Sequence, residues 1–198
     1  MNISINAISA KVGGGATYLQ SILPELARQL GEGHRVIVWR SAAGEYSWPR
    51  EFEYREDARA AGEAERSASI TQRLWFDQIE IPRQLRAERT DVLFSTANFG
   101  TLRSPCHQVL LVCNTLPFDR TYLSRLSAKA RAHWNLQRQL VMLSIRAADV
   151  VIFPTTAIRD LVATYFGKTP DNWIVSNFGT RHDLFRPALE QRNVEGPL

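Results

Sequence analysis

Short apolar or alternating runs along the chain are separated by longer stretches in which apolar residues recur every three or four positions. The first pattern predicts strands and the second predicts helices. Residues 3–8 alternate with period two, Ile3 and Ile5 against Ser4 and Asn6, and predict a strand. The glycine turn Gly13-Gly14-Gly15 follows, and then Leu19, Ile22, Leu23, Leu26 and Leu30 predict a helix ending at Gly31 and Gly33. Pro24 removes one backbone bond inside it and predicts a bend. Residues 34–39 read as a second strand, and the more polar residues 51–55 as a third, nearer the sheet edge. Residues 55–69, charged and alanine-rich, read as a solvated helix or a loop. Residues 70–89 predict a helix interrupted by Pro82. Strands follow over 91–95 and 107–113, the latter apolar enough to be buried on both faces. A long helix is expected over about 124–147, with Leu136, Leu140, Leu143 and Ala147 as its inward stripe. A strand over 149–153, a helix capped by Thr155 or Thr156 and ending near Phe166-Gly167, and a strand over 173–176 complete the pattern.

Strands alternating with helices at this spacing predict an open, doubly wound parallel sheet of the Rossmann-like α/β class. Ligands on such sheets sit beyond the carboxyl ends of the strands. The candidate site is therefore the set of segments after each strand: Gly13 to Gly15, Asn98 and Phe99, Asn114 to Phe118, Thr155 and Thr156, and Asn177 to Gly179. Glycines let a ligand approach the main chain, and the free N–H groups of the following helix would face it with the positive end of the helix dipole. A turn that merely joins strand to helix is the alternative reading.

Composition narrows the class without naming it. The 198 residues suffice for one large domain, and the hydrophobic share of 44% and charged share of 22% are ordinary for a soluble globular chain. A net charge of +4 permits nucleic-acid, anionic-lipid or phosphorylated partners. Cys106 and Cys113 make neither a disulfide framework nor a zinc site and suggest a reducing compartment, with Cys113 packing as a small hydrophobe. No apolar run is long enough to span a bilayer, and the chain begins directly in a strand, so a cytoplasmic protein is expected. His34, His107 and His133 lie on separate elements, and no metal is expected. Trp75, Phe76, Trp134 and Trp173 have apolar neighbours and are expected to pack in the core, with no nucleic-acid module signature.

A dinucleotide-binding loop wants G-x-G-x-x-G and an acid ending the second strand. Here that strand ends in Trp39-Arg40-Ser41; Arg40 leaves open either an NADP 2′-phosphate contact or an ordinary surface arginine. No G-x-x-x-x-G-K-[ST] loop is present. Several segments instead occur together in order: Gly13 to Ala16 with the helix containing Leu23-Pro24-Glu25-Leu26-Ala27; Asp91-Val92-Leu93-Phe94; Asn114-x-x-Pro117-Phe118; Ala148 to Ile152 with Thr155 and Thr156; and Ile174 to Phe178 followed by Gly179 and Phe185-Arg186-Pro187. This arrangement, over nearly the whole chain, resembles the N-terminal domain of a GT-B glycosyltransferase of the retaining family 4.

The resemblance implies an N-terminal acceptor-side domain over 1–187, with 188–198 opening an interdomain linker or tail. The donor-binding C-terminal domain, with its paired glutamates, is then absent from this chain, and a helix from the end of the complete protein would pack back onto this half. The isolated domain is expected to be nearly inactive. The complete enzyme would move a sugar from a nucleotide-sugar donor to a glycan or lipid-linked acceptor, with no metal and no other cofactor. Leaving phosphate oxygens would help accept the proton on the same face, so stabilising that phosphate matters most. By the same resemblance, the backbone of Gly14 and Gly15, with Thr17 nearby, would meet the donor. Asn114 stands where a histidine often contacts the transferred sugar; it can hydrogen-bond a hydroxyl but cannot serve as a base. Asn98, Phe118, Thr155 and Thr156 are the further acceptor or sugar contacts expected from their places after strands. Arg181 occupies a place where the family usually has an acid. Two other readings stay open: a free-standing α/β module for a phosphate-bearing ligand, and an NADP-dependent oxidoreductase domain.

Between Arg120 and Ala148 there is no Asp or Glu, whereas Arg120, Arg125, Lys129, Arg131, Arg138 and Arg146 all fall there. Arg131 and Arg138 share a stripe expected to lie opposite the leucines. This face is either a solvated surface or a contact for anionic headgroups, which would place the protein peripherally at the inner face of a membrane.

Overall fold

The computed structural model describes residues 1–10, 14–31, 33–40, 48–56 and 74–179. Seven parallel strands form one sheet: β1 (Asn2–Asn6), β2 (Arg35–Arg40), β3 (Glu53–Glu56), β4 (Val92–Ser95), β5 (His107–Leu111), β6 (Val150–Phe153) and β7 (Trp173–Val175), in spatial order β3-β2-β1-β4-β5-β6-β7. The chain winds one way from β1 to β3, then returns to lay β4 on the other side of β1. The order reverses between β1 and β4, which is where a doubly wound sheet opens its crevice.

The alternation in β1 is a two-sided burial pattern. Ile3 and Ile5 join Val36 and Val38 under helix α1 (Gly14–Leu30), where Leu19 and Leu23 complete the layer. Ile37, Trp39 and Leu93 face the other way, onto Phe76, Ile81 and Leu85. A third cluster, around Leu110, Phe118, Val141, Val151 and Phe153, fills the β5–β7 half. Polar residues of β1 survive burial because each is paired: Ser4 Oγ lies 3.0 Å from Thr90 Oγ1, and Asn6 Nδ2 donates to Asp77 Oδ1 at 2.8 Å.

The interruption expected at Pro82 takes the form of a π-helical turn (Phe76–Glu80) that runs directly into α2 (Ile81–Ala87), whose second residue is Pro82. Three other local expectations are corrected. The long helix over 124–147 is two helices, α3 (Arg120–Ser124) and α4 (Ala128–Ala147). Asp119 Oδ1 accepts from Tyr122 N to start α3, and Ser127 Oγ accepts from Ala130 N to start α4. The inward stripe of α4 is also not the leucine one. Val141, Met142, Ser144 and Ile145 are buried, whereas Leu136 is 52% and Leu143 44% exposed. Leucine count is a poor guide here because the domain face of α4 mixes aliphatic, polar and cationic residues. Trp75 is likewise partly exposed, while Phe76 and Trp173 are buried as expected.

Helix α5 (Thr156–Phe166) ends as the sequence suggests. Gly167 takes φ +72°, and its N–H donates to Ala163 O at 3.0 Å. The readings made over 57–73, at Gly13 and beyond Gly179, Arg181 and Phe185 to Pro187 included, fall outside the described residues. Among the described residues, no helix is long and apolar enough to cross a membrane.

At the amino ends of the strands, Arg35 fastens three elements together. It donates to Glu53 through Nε at 2.5 Å and Nη2 at 2.8 Å, and to Glu88 through Nη1 at 2.7 Å; Arg55 also pairs with Glu88. Hydrogen bonds from Arg35 hold both carboxyls below their ordinary range. Depressed carboxyl pKa values give stability that is present above the unfolded value near 4.5 and lost as pH falls through the folded values. The unfolding midpoint is therefore expected to drop on acidification from about pH 6 to about pH 3. Glu88→Gln should remove part of that drop, by about 1 kcal/mol given the solvent exposure of the partners. Thermal melts of both proteins across that range check it: parallel pH profiles would show that the network contributes nothing.

Candidate active site

All seven strands run the same way, so every segment that follows a strand emerges on one rim. The loops there are tied to one another by hydrogen bonds. Asn6 O, at the end of β1, accepts from Thr96 N at 3.3 Å and Thr96 Oγ1 at 2.8 Å, which closes the loop after β4 onto β1. Asn98 then crosses to β5. Its N–H donates to Leu111 O at 3.0 Å. Its side-chain Oδ1 accepts from Cys113 N at 2.8 Å and Asn114 N at 3.0 Å, while Nδ2 donates to Asn114 O at 2.7 Å. Asn98 has φ +59°, a left-handed conformation that asparagine tolerates better than most residues. One buried side chain therefore sets the path of the segment after β5.

Asn114 itself is exposed. Its Oδ1 accepts from Leu116 N at 3.1 Å, and its Nδ2 has no partner among the described residues. The side chain is oriented through its oxygen and keeps a free donor at the mouth of the rim.

Helix α1 begins on this rim with Gly14 and Gly15. Neither has a positive φ, a Cβ on Gly14 would meet nothing within 4 Å, and one on Gly15 would make ordinary contact with Ala10 at 3.7 Å. Packing among the described residues therefore does not require glycine at either place. Thr17 is exposed one turn on. Tyr18 stacks on Phe178, after β7, with ring centroids 4.5 Å apart. Burial, and then the neighbouring Cys113, push its hydroxyl up to about 12. Burial also pushes up the Cys113 thiol. Both groups are neutral at neutral pH, so this part of the rim offers hydrogen bonds and an aromatic surface rather than a proton acceptor.

With this geometry in hand, a family model, Glycosyltransferase Family 4, matches residues 12–178. The chain belongs to this glycosyltransferase family. Among solved structures, the family 4 domain is similar to one titled "lipopolysaccharide outer core galactosyltransferase WaaB apo form", with 13% identity and a TM-score of 0.48 over 88% of this chain. That match spans 45% of the WaaB chain, so this chain corresponds to less than half the length of that neighbour. No curated protein matches it.

The candidates from the sequence divide in the family 4 domain. Gly14, Thr17 and Asn114 are exposed, and Gly15 is half-buried. Asn98 is 4% exposed and fully engaged with the Cys113–Asn114 segment, so it positions a neighbour rather than touching substrate. Phe118 is 0% exposed, with its ring 5.4 Å from that of Tyr165, so the sugar contact expected of its side chain is not available to it. Its carbonyl is also taken, by the Tyr165 hydroxyl at 2.9 Å. Thr155 caps α5, its Oγ1 accepting from Ile158 N at 3.2 Å, and Thr156 is exposed beside it. No hydrogen bond joins either threonine to Asn98 or Asn114.

Of the two cations expected on one stripe opposite the leucines, Arg131 is exposed and Arg138 is half-buried. Arg131 Nη2 donates to Leu126 O at 3.2 Å and Ser124 O at 3.4 Å, closing the end of α3. Arg138 is half-buried, with its guanidinium 5.0 Å from the Tyr165 ring centre. Arg40 is committed as well: it pairs with Glu56 at 2.8 Å and lies 5.3 Å from the Tyr54 ring centre, which weakens the NADP reading. Sequence reading missed Tyr18 and the buried Asp77 beneath Asn6. An aspartate inside an apolar helical run was the available signal for the second; nothing local marks Tyr18, because its partners come from β5 and β7.

Proposed function

We propose that this domain is the acceptor-side half of a glycosyltransferase that moves a sugar from a nucleotide-sugar donor onto a glycan or lipid-linked acceptor. The observation that carries the reading is the rim formed by the open α1 terminus and by Asn114, held in place by Asn98. Open space around Gly14 leaves room for a phosphate or sugar oxygen against the main chain, where free N–H groups and the helix dipole favour negative charge. Asn114 Nδ2 would donate to a sugar hydroxyl. Tyr18 and Cys113 stay neutral near neutral pH; in this reading the proton leaves on donor phosphate oxygens, and no metal or other cofactor takes part. A second domain of the same chain, after a linker starting near residue 188, would carry most of the donor and face this rim, and the domain alone would be nearly inactive. The proposed location is cytoplasmic, at the inner face of a membrane where a lipid-linked acceptor would be met.

The test is release of nucleoside diphosphate from a panel of nucleotide sugars by a chain carrying residues 1–198 together with such a second domain. Asn114→Ala is expected to lower kcat/KM about tenfold, the loss of roughly one hydrogen bond to substrate, with a stability change below about 1 kcal/mol. Unchanged kcat/KM in a folded variant would remove Asn114 from the site. Absence of transfer with every donor, in the presence of glycan and lipid-linked acceptors, would refute the reading as a whole.

A further inference from the structure

Helix α1 and the segment that enters β3 leave a groove of about 460 Å³ between them. Pro24 and Ala27 line it from the helix, and Trp48 and Pro49 from the segment. The segment wall is fixed in place. Tyr54 Oη donates to Pro49 O at 2.5 Å, and burial keeps that hydroxyl neutral by pushing it up to about 12. The Trp48 ring centre lies 5.5 Å from that of Tyr54 and 5.9 Å from the Arg40 guanidinium, which is itself 5.3 Å from the Tyr54 ring centre. Three such nearly equal separations put Tyr54 and Arg40 on the same side of the indole, which leaves its other side to the groove. Arg50 and Glu51 complete the lining; both are exposed, and neither has a side-chain partner among the described residues. Pro24 lies ten residues beyond Gly14 on α1, so the groove is about 15 Å from the rim by the rise of an α-helix.

We propose that this groove binds a neutral saccharide unit of a glycan chain whose acceptor end reaches the rim. A sugar ring has an apolar C–H face and an edge of hydroxyls. The indole and the two prolines offer a surface for the face. The Arg50 guanidinium can donate to hydroxyls and the Glu51 carboxylate can accept from them. Charge selects against an anion. Glu25 takes Arg28 Nε at 2.9 Å and so neutralises the groove's other arginine, while Glu51 balances Arg50. A proline-rich peptide is the rival occupant, but it docks between aromatic walls, and the aromatic lining here is Trp48 alone. A preformed cavity of this size with a few polar groups at its margin is the ordinary form of a small-ligand site. The connection from the groove to the rim rests on the transferase reading; binding in the groove does not require transfer.

Saturation-transfer difference NMR on the 198-residue chain, with neutral gluco-, galacto- and manno-oligosaccharides as probes, tests it. At least one series is expected to bind with a millimolar Kd, and to bind equally well at about 0.5 M NaCl because the ligand carries no charge to screen. Trp48→Leu should weaken binding about tenfold. Arg50→Ala should weaken it about threefold, the loss of one exposed hydrogen bond. Trp75→Phe, on the α2 side of the sheet, should leave it near wild type. Circular dichroism melts establish that each variant is folded, and the exposed Arg50 keeps the test open if Trp48→Leu is not. In the assembled enzyme, Trp48→Leu should raise KM about tenfold for long acceptor glycans while leaving kcat, and KM for short acceptors, unchanged. The proposal is overturned by an absence of saccharide binding, by binding that survives Trp48→Leu, or by equal KM changes for long and short acceptors. A proline-rich peptide that binds more tightly than every saccharide and is lost in Trp48→Leu overturns it as well. Trp48-dependent saccharide binding by a chain that transfers no sugar when joined to its second domain supports the groove and refutes only the reading of the rim.

Discussion

Phe118→Ala is expected to lower the free energy of unfolding by about 3–5 kcal/mol, the usual cost of emptying a fully buried aromatic site. Phe118 ends the 3₁₀ turn Leu116–Phe118, and its ring enters the core among Leu110, Val112, Val141 and Val151. Removing it leaves a cavity where the loop after β5, helix α4 and helix α5 meet. The Tyr165 ring also loses its edge-on neighbour. Phe118→Leu, which keeps much of the apolar volume, should cost roughly half as much. Chemical denaturation of both variants checks this. A side chain that served as a sugar platform would behave in the opposite way, with Phe118→Ala leaving stability nearly unchanged.

Asn98→Ala is expected to cost about 3 kcal/mol and to release Asn114. The substitution strands two backbone N–H groups, those of Cys113 and Asn114, and the Asn114 carbonyl. Each orphaned buried group costs about 1–3 kcal/mol, offset where water can enter this partly exposed loop. Alanine at φ +59° adds about 1 kcal/mol of backbone strain. Asn98→Gly separates the contributions, because it relieves the strain while losing the same three bonds. It should therefore recover roughly 1 kcal/mol. In the assembled enzyme, both variants should lower kcat/KM at least as much as Asn114→Ala does. Amide exchange at Cys113 and Asn114 gives a direct reading: protection there that survives in Asn98→Ala would show that the side chain does not hold the segment.

The sheet and its winding were legible because each strand announces itself by pattern alone. Ile3 and Ile5 alternate with Ser4 and Asn6, and residues 107–113 are apolar enough to lie inside. The rim followed, since parallel strands put all their exits on one side. Which rim residues face outward was not legible. Asn98 and Asn114 are the same residue type after neighbouring strands, yet one is a buried clamp and the other an open donor. The difference arises from the left-handed turn at Asn98, which folds its side chain onto the next loop. Phe118 looked like a platform because it follows a strand, but the turn beginning at Leu116 swings it inward. The leucine stripe on α4 misled for a related reason: periodicity finds a face, and only the tertiary neighbours say which way that face points.

The position of β1 in the sheet has a consequence for synthesis. It pairs with β2 on one side and with β4 on the other, and Ile3 lies opposite Val92. A chain leaving the ribosome can complete the first pairing early, but the strand that closes the other margin arrives several seconds later at about 5–20 residues per second. Throughout that wait the backbone groups of β1 that will bind β4 have only water or a chaperone for company. Slow codons between the two strands would lengthen that vulnerable interval.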